Sequence, residues 1–135
     1  MSEATPSEDR RLYHATTSAK ADVLMTHGFD DTGSFWGTEA MSDYYLETVD
    51  DEIEEEHGDD GSVLLSIAVS DLDRSLICVD QPAVDEPITT VLGMKEDAVH
   101  RLWAACAGTW EDSLEIAGSV LYRGPIAATL LRRED

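Results

Sequence analysis

The chain has 135 residues, of which 29 are acidic and 9 are basic, and its formal net charge is −20. Such a negative field repels nucleic acid and anionic membranes and attracts basic surfaces, so we expect neither stable nucleic-acid binding nor membrane association. A chain of this length folds as one domain that buries roughly two-thirds of its unfolded surface. Three explanations of the acidity stay open: adaptation to high salt, mimicry of nucleic acid by an inhibitor, and an ordinary acidic domain.

The sequence also bears on compartment and metal content. We find neither a basic leader with an apolar stretch nor an apolar run near the roughly 20 residues that a bilayer span requires. Cys78 and Cys106 lie in apolar stretches without the spacing of a metal or redox motif, which predicts two buried thiols. We therefore expect a soluble, cytoplasmic protein without a metal site.

The first third of the chain predicts a strand, a helix, a strand and a second helix. Residues 1–10 are polar and aperiodic, which predicts a flexible N-terminus followed by a single domain over 11–135. "RLYHA" predicts a short strand, and Thr17 or Ser18 can cap a helix that ends at Gly28. "DDTGS" is typical of a turn, "FWGT" predicts a very short strand, and Thr38 can cap the second helix.

The rest of the chain predicts more strands and one late helix. The acidic run at 50–61 either frays the second helix or forms a solvated loop. Residues 62–69 predict a central strand, and residues 74–80 predict its continuation or a neighbouring strand. Residues 96–107 carry apolar side chains at helical spacing. "SLEIA", "SVLYRG" and "IAATLLR" predict two or three further short strands. The sum is an α+β fold, a strand-rich core with two early helices and one late helix.

Four short motifs follow one another in the early part of the chain. They read "YHAT" at 13–16, "THGF" at 26–29, "FWGT" at 35–38 and "SDYYL" at 42–46. This order resembles the ADP-ribosyltransferase family of the diphtheria-toxin and poly-ADP-ribose-polymerase type. The likeness continues through "GSVLLSIAV" and "SLICVD" and ends at "SLEIA". The resemblance implies a split β-sheet core around a nicotinamide cleft, with NAD as the substrate. Its product would be ADP-ribose on a protein or nucleic-acid acceptor, or hydrolysed NAD, as in a toxin or effector.

The resemblance also implies residue roles. Glu115 takes the strand position of the catalytic carboxylate, with Glu111 or Asp112 as alternatives if the register differs, and His14 hydrogen-bonds the ribose. The backbone of Tyr13 and Ala15 would hold the nicotinamide amide, and Tyr45, or Tyr44, would stack on its ring. Trp36 and Thr38 of the third motif complete the cofactor-binding set. The family has tyrosine at the position of Trp36 and glycine at the position of Ala15. Because of these two differences, the chain could instead be an inactive, degenerate member of the family, and this alternative stays open. The basic residues nearest these motifs in the sequence are Arg10, Arg11, Lys20 and Arg123.

A second hypothesis follows from the net charge and from the acidic run at 50–60. An acidic chain without enzymatic activity can mimic nucleic acid and occupy the basic groove of a nucleic-acid-binding protein, as an anti-CRISPR or anti-restriction inhibitor does. The net charge of −20 favours such a partner. The two hypotheses differ in whether a carboxylate in a nicotinamide cleft is needed.

Overall fold

The computed structural model describes residues 10–46 and 62–134, which form an α+β fold. Its centre is a six-stranded antiparallel sheet with the strand order β4-β5-β2-β1-β3-β6. The strands are β1 Arg11–Thr17, β2 Ser34–Gly37, β3 Ser62–Ala68, β4 Ile77–Val79, β5 Ser119–Tyr122 and β6 Arg132–Glu134. The α+β class expected from the sequence is confirmed at this level.

Helical segments connect the strands. They are α1 Ser18–His27, α2 over residues 39–46, α3 Gln81–Asp85, α4 Thr89–Leu92, α5 Glu96–Ala105 and α6 Trp110–Asp112. Three short 3-10 turns span Val69–Asp71, Arg74–Leu76 and Ala128–Leu130. The two early helices and the late helix α5 are confirmed, whereas α3, α4 and α6 are additional helices that the sequence pattern did not indicate.

The early helix boundaries follow the expected capping chemistry. The Thr17 side chain accepts a hydrogen bond from the Lys20 N–H at the start of α1, which ends at Gly28 with φ +74°. A Cβ at this glycine would lie 2.1 Å from a backbone oxygen, so glycine is required there for space as well as for conformation. The Thr38 hydroxyl accepts from the Met41 N–H and caps α2.

Apolar residues from both halves of the sheet form one core. It includes the fully buried Leu12, Trp36, Ile67, Val69, Leu114 and Val120. Helix α5 contributes Val99 to the buried set, but its Leu102 is exposed, so the predicted apolar stripe is only partly covered. Cys78 and Cys106 are free thiols and are half-buried rather than fully buried as expected.

The sheet is joined in its middle by a very short pairing. Strand β1 pairs with β3 over all seven of its residues, but with β2 the register consists of Tyr13↔Gly37. The six strands therefore form one connected sheet with a narrow junction in its middle. This junction positions the candidate site.

Two strand predictions near the C-terminus are wrong. "SLEIA", including Glu115, forms a π-helical turn over Ser113–Ala117 that continues α6. A capping box between Thr109 and Asp112 starts this helical segment, and Gly118 with φ +86° ends it. Its buried residues Ser113, Leu114 and Ala117 have helical rather than alternating spacing.

"IAATLLR" is also not a continuous strand. Ile126 forms an isolated bridge with Phe29, a 3-10 turn follows, and β6 begins only at Arg132. The predictions for the flexible N-terminus and for the acidic run at 50–61 fall on residues 1–9 and 47–61, which lie outside the described residues.

Candidate functional site

A cavity of about 630 Å³ lies at the junction of β1 and β2. Helix α2, the start of β5 and the segment from Asp80 to Ile88 complete its walls. The lining residues are Tyr13, His14, Ala15, Phe35, Trp36, Gly37, Met41, Ser42, Tyr45, Asp80, Pro82, Ala83, Glu86, Ile88 and Ser119.

His14 links the two central strands at the cavity. Its Nδ1 lies 2.7 Å from the carbonyl oxygen of Phe35, which can only accept, so Nδ1 carries the proton. Burial lowers the pKa of His14 below its usual value, against the opposing effect of the hydrogen bond to Phe35. The imidazole is therefore neutral at physiological pH, and its Nε2 is a hydrogen-bond acceptor.

Aromatic rings form much of the cavity wall. Trp36 is only 1 % exposed, and its Nε1–H donates to the Ser34 hydroxyl at 2.8 Å, so its indole is a fixed core group. The rings of His14 and Trp36 have centroids 5.3 Å apart. Phe35 and Tyr45 are 51 % and 44 % exposed and form the open part of the wall. A flat ligand can contact the rings that solvent reaches.

The backbone of Ala15 faces the junction without a strand partner on that side. The Arg10 carbonyl accepts from Val69 N–H, so even-numbered residues of β1 direct their backbone groups towards β3 and odd-numbered residues direct them away. Accordingly, the Tyr13 carbonyl accepts from the Ser42 hydroxyl at 3.0 Å. No described residue of β2 pairs with Ala15. Its N–H and C=O therefore present a donor and an acceptor at the cavity.

Asp80 is a buried carboxylate in the wall, 7 % exposed. The Ser119 hydroxyl donates to its Oδ2 at 2.6 Å, and the Ala83 N–H donates to its Oδ1 at 3.2 Å, which caps α3. The Asp80 N–H in turn donates to the Ser113 hydroxyl at 3.0 Å, and that hydroxyl donates to the Ser119 carbonyl at 2.7 Å. These bonds hold the carboxylate in one position.

The charge of the wall is negative. Asp80 and Glu86 line the cavity, whereas no lysine or arginine is among the lining residues. Burial, then the charge of Asp80 and then that of Tyr44, raise the pKa of the Tyr45 phenol. The field of Asp80 therefore acts on a group at the open side of the cavity.

The structure brings together most, but not all, of the residues predicted from the sequence. Tyr13, His14, Ala15, Trp36 and Tyr45 line the cavity. Thr38 instead caps α2, and the exposed Tyr44 packs edge-on against Tyr45 with ring centroids 5.5 Å apart. Glu115 is exposed on the π-helical turn and does not line the cavity.

Four polar residues of the cavity wall were not predicted from the sequence, namely Ser42, Asp80, Glu86 and Ser119. The signal for Asp80 was present, because an aspartate directly after a strand and before Gln81-Pro82 is typical of a helix N-cap. The four basic residues nearest the motifs in the sequence, Arg10, Arg11, Lys20 and Arg123, all lie outside the cavity wall.

Comparison of the chain with protein-family models, with curated proteins and with solved structures finds no match. Within residues 10–46 and 62–134, no group of three or more His, Cys, Asp or Glu side chains could hold a metal ion. In the same part of the chain, no helix has the length and apolar character needed to cross a membrane.

Proposed function

We propose that the chain cleaves the bond between ribose and nicotinamide in NAD and passes ADP-ribose to a protein or nucleic-acid acceptor, or to water. The observation that carries the proposal is the convergence of His14, the Ala15 backbone and Tyr45 on one cavity. These groups were expected to act together from the order of the sequence motifs. The finer assignment to an ADP-ribosyltransferase-like core is part of this proposal.

Each group has a role that its chemistry supports. The primary amide of nicotinamide has one acceptor and two donors, and the N–H and C=O of Ala15 complement it. Tyr45, with its ring partly exposed, stacks on the pyridine ring. His14, neutral and with Nε2 as acceptor, takes a hydrogen bond from a ribose hydroxyl.

The reaction itself moves charge from the ring to the sugar. The bond from ribose C1′ to the nicotinamide nitrogen breaks, and its electron pair goes to that nitrogen, which neutralises the pyridinium. The cation-like C1′ is then attacked by an oxygen or nitrogen of the acceptor, which loses its proton to solvent. A fixed carboxylate beside the ribose stabilises this positive charge. Asp80 and Glu86 are the carboxylates of the wall, and Glu115 is not.

Nicotinamide release from NAD tests the proposal. We expect release by the wild-type chain and a loss of about a hundredfold in His14→Ala, the size typical of one lost catalytic hydrogen-bonding group. His27→Ala is the matched control, because His27 is an exposed histidine at the end of α1 and outside the cavity. Glu115→Gln should keep full activity. If NAD neither binds nor releases nicotinamide at low and at molar salt, the proposal is wrong.

A second candidate function rests on the net charge of −20. In this alternative the chain is an inhibitor that occupies a basic nucleic-acid-binding groove. Such a complex weakens steeply as salt rises and tolerates His14→Ala. A complex with a basic partner that is insensitive to salt would refute this alternative.

A further inference from the structure

We propose that the cavity selects its ligand by positive charge: it binds an N-ribosyl pyridinium cation, and phosphate groups on the ligand add nothing to binding. This inference rests on the proposed function and names the part of the substrate that the site recognises.

The wall of the cavity combines aromatic rings with negative charge. Phe35 and Tyr45 supply partly exposed aromatic rings, and Asp80 and Glu86 supply negative charge. A cation is attracted to the face of an aromatic ring and to a carboxylate at the same time. An uncharged ring of the same shape gains only the contact with the aromatic groups.

The buried carboxylate of Asp80 has a fixed position. Asp80 is held by the Ser119 hydroxyl and the Ala83 N–H, and its neighbours Ser113 and Ser119 are almost completely buried. A carboxylate that is held in this way does not need to reorganise when a cation enters. Its effect on the pKa of Tyr45 places the same field at the ring expected to stack on nicotinamide.

The described wall of the cavity carries no cationic side chain. Because no lysine or arginine is among the lining residues within 10–46 and 62–134, a phosphate in the cavity would meet two carboxylates and no basic partner from this part of the chain. His14 does not supply the missing charge, since burial keeps it neutral. The phosphates of NAD must therefore extend out of the cavity into solvent.

The test compares three ligands by calorimetric titration of the whole chain: nicotinamide riboside, its uncharged 1,4-dihydro form, and NAD. We expect the cationic riboside to bind about tenfold tighter than its dihydro form, as one partly desolvated cation on aromatic rings and carboxylates predicts. NAD should bind no tighter than the riboside. Equal affinity for the two redox forms, or NAD binding tenfold or more tighter than the riboside, would overturn the inference.

Single substitutions of carboxylates test which side chain attracts the cationic riboside. Glu86→Gln should weaken the riboside about threefold and leave the dihydro form unchanged, because an exposed carboxylate contributes little through screened water. Glu96→Gln, which changes another exposed glutamate on α5 outside the cavity, should alter the binding of neither ligand. Asp80→Asn should have a larger effect than Glu86→Gln. Since Asp80 also caps α3, a thermal melt accompanies it, and Glu86→Gln keeps the test valid if Asp80→Asn unfolds. If Glu86→Gln and Glu96→Gln behave alike, the carboxylates of the wall are not the source of selectivity.

Nicotinamide release in the same samples separates this inference from the proposed function. Binding of the cationic riboside about tenfold tighter than its dihydro form, without nicotinamide release, refutes the proposed reaction and supports the charge selectivity. Release from NAD, together with NAD binding much tighter than the riboside, supports the reaction and refutes the selectivity. If none of the three ligands binds, both are refuted.

Discussion

Replacing Ser113 by alanine tests whether the wall of the cavity depends on a buried hydrogen-bond network. The Ser113 side chain is fully buried, and its hydroxyl accepts from the Asp80 N–H and donates to the Ser119 carbonyl. Ser113→Ala leaves both backbone groups buried without these partners. Each unsatisfied group costs about 1–3 kcal/mol, so we expect a total loss of about 2–6 kcal/mol. That is a large share of the roughly 5–15 kcal/mol that stabilises a typical domain.

The assay is urea unfolding followed by tryptophan fluorescence. Ser75→Ala is the matched control, because it also removes a hydrogen-bonded serine hydroxyl, which donates to Asp73 at 2.6 Å, but in an exposed pair. We expect that control to change the free energy of unfolding by less than about 0.5 kcal/mol. If Ser113→Ala costs no more than Ser75→Ala, the network does not hold Asp80 in place, and the argument for a preorganised carboxylate fails with it.

Three further predictions concern the elements around the site. Gly28→Ala should be strongly destabilising, because the new Cβ would lie 2.1 Å from a backbone oxygen. Gly93→Ala, whose Cβ would have nothing within 4 Å, should cost only about 1 kcal/mol for its positive φ. The melting temperatures of the two variants test this difference, and equal losses of stability would contradict it. Burial lowers the pKa of His14 in the folded state, so the unfolded chain takes up a proton first as the pH falls below the unfolded pKa of about 6.5, and stability decreases until the folded pKa is passed. Between pH 7 and pH 5, the urea midpoint of His14→Gln should therefore fall less steeply than that of the wild type. Parallel pH profiles of the two proteins would refute this. Thr38→Ala removes the cap of α2 and should cost about 1 kcal/mol in the same urea assay, while Thr38→Ser, which keeps the hydroxyl, should restore most of it.

The local signals in the sequence predicted the early elements well. Thr17, Gly28 and Thr38 determine helix boundaries through capping and backbone conformation, which act within a few residues. The strands at 62–68 and 119–122 are short and mostly apolar, and they form as expected. Such features depend little on the rest of the fold.

The errors arose where local pattern was ambiguous. "SLEIA" alternates apolar and polar residues over too short a length to separate a strand from a helical turn. The decisive signals lie outside it, in the Thr109–Asp112 capping box before it and Gly118 after it. Because the strand prediction for "SLEIA" was wrong, Glu115 does not lie at the cavity where the catalytic carboxylate was expected.

The part of the cavity wall that β1 and β2 form could be predicted, because its residues are close in sequence. Tyr13, His14, Ala15 and Trp36 lie on two neighbouring strands, and a motif can encode their order. The part of the wall that contains Asp80 and Ser119 could not be predicted, because these residues are 39 positions apart and meet only through the pairing of β4 with β5. Such contacts depend on long-range topology rather than on any pattern within one segment.

The narrow junction between β1 and β2 has a consequence for how the chain reaches its native state. The sheet consists of two three-stranded halves, β4-β5-β2 and β1-β3-β6, joined through Tyr13↔Gly37. Yet the halves are interleaved along the chain, and a cut at any peptide bond between residues 37 and 119 separates strands within both. Neither half can therefore be obtained as a fragment or exchanged as a module. Because distant strands must meet before either half is complete, the domain should fold slowly and in one cooperative step.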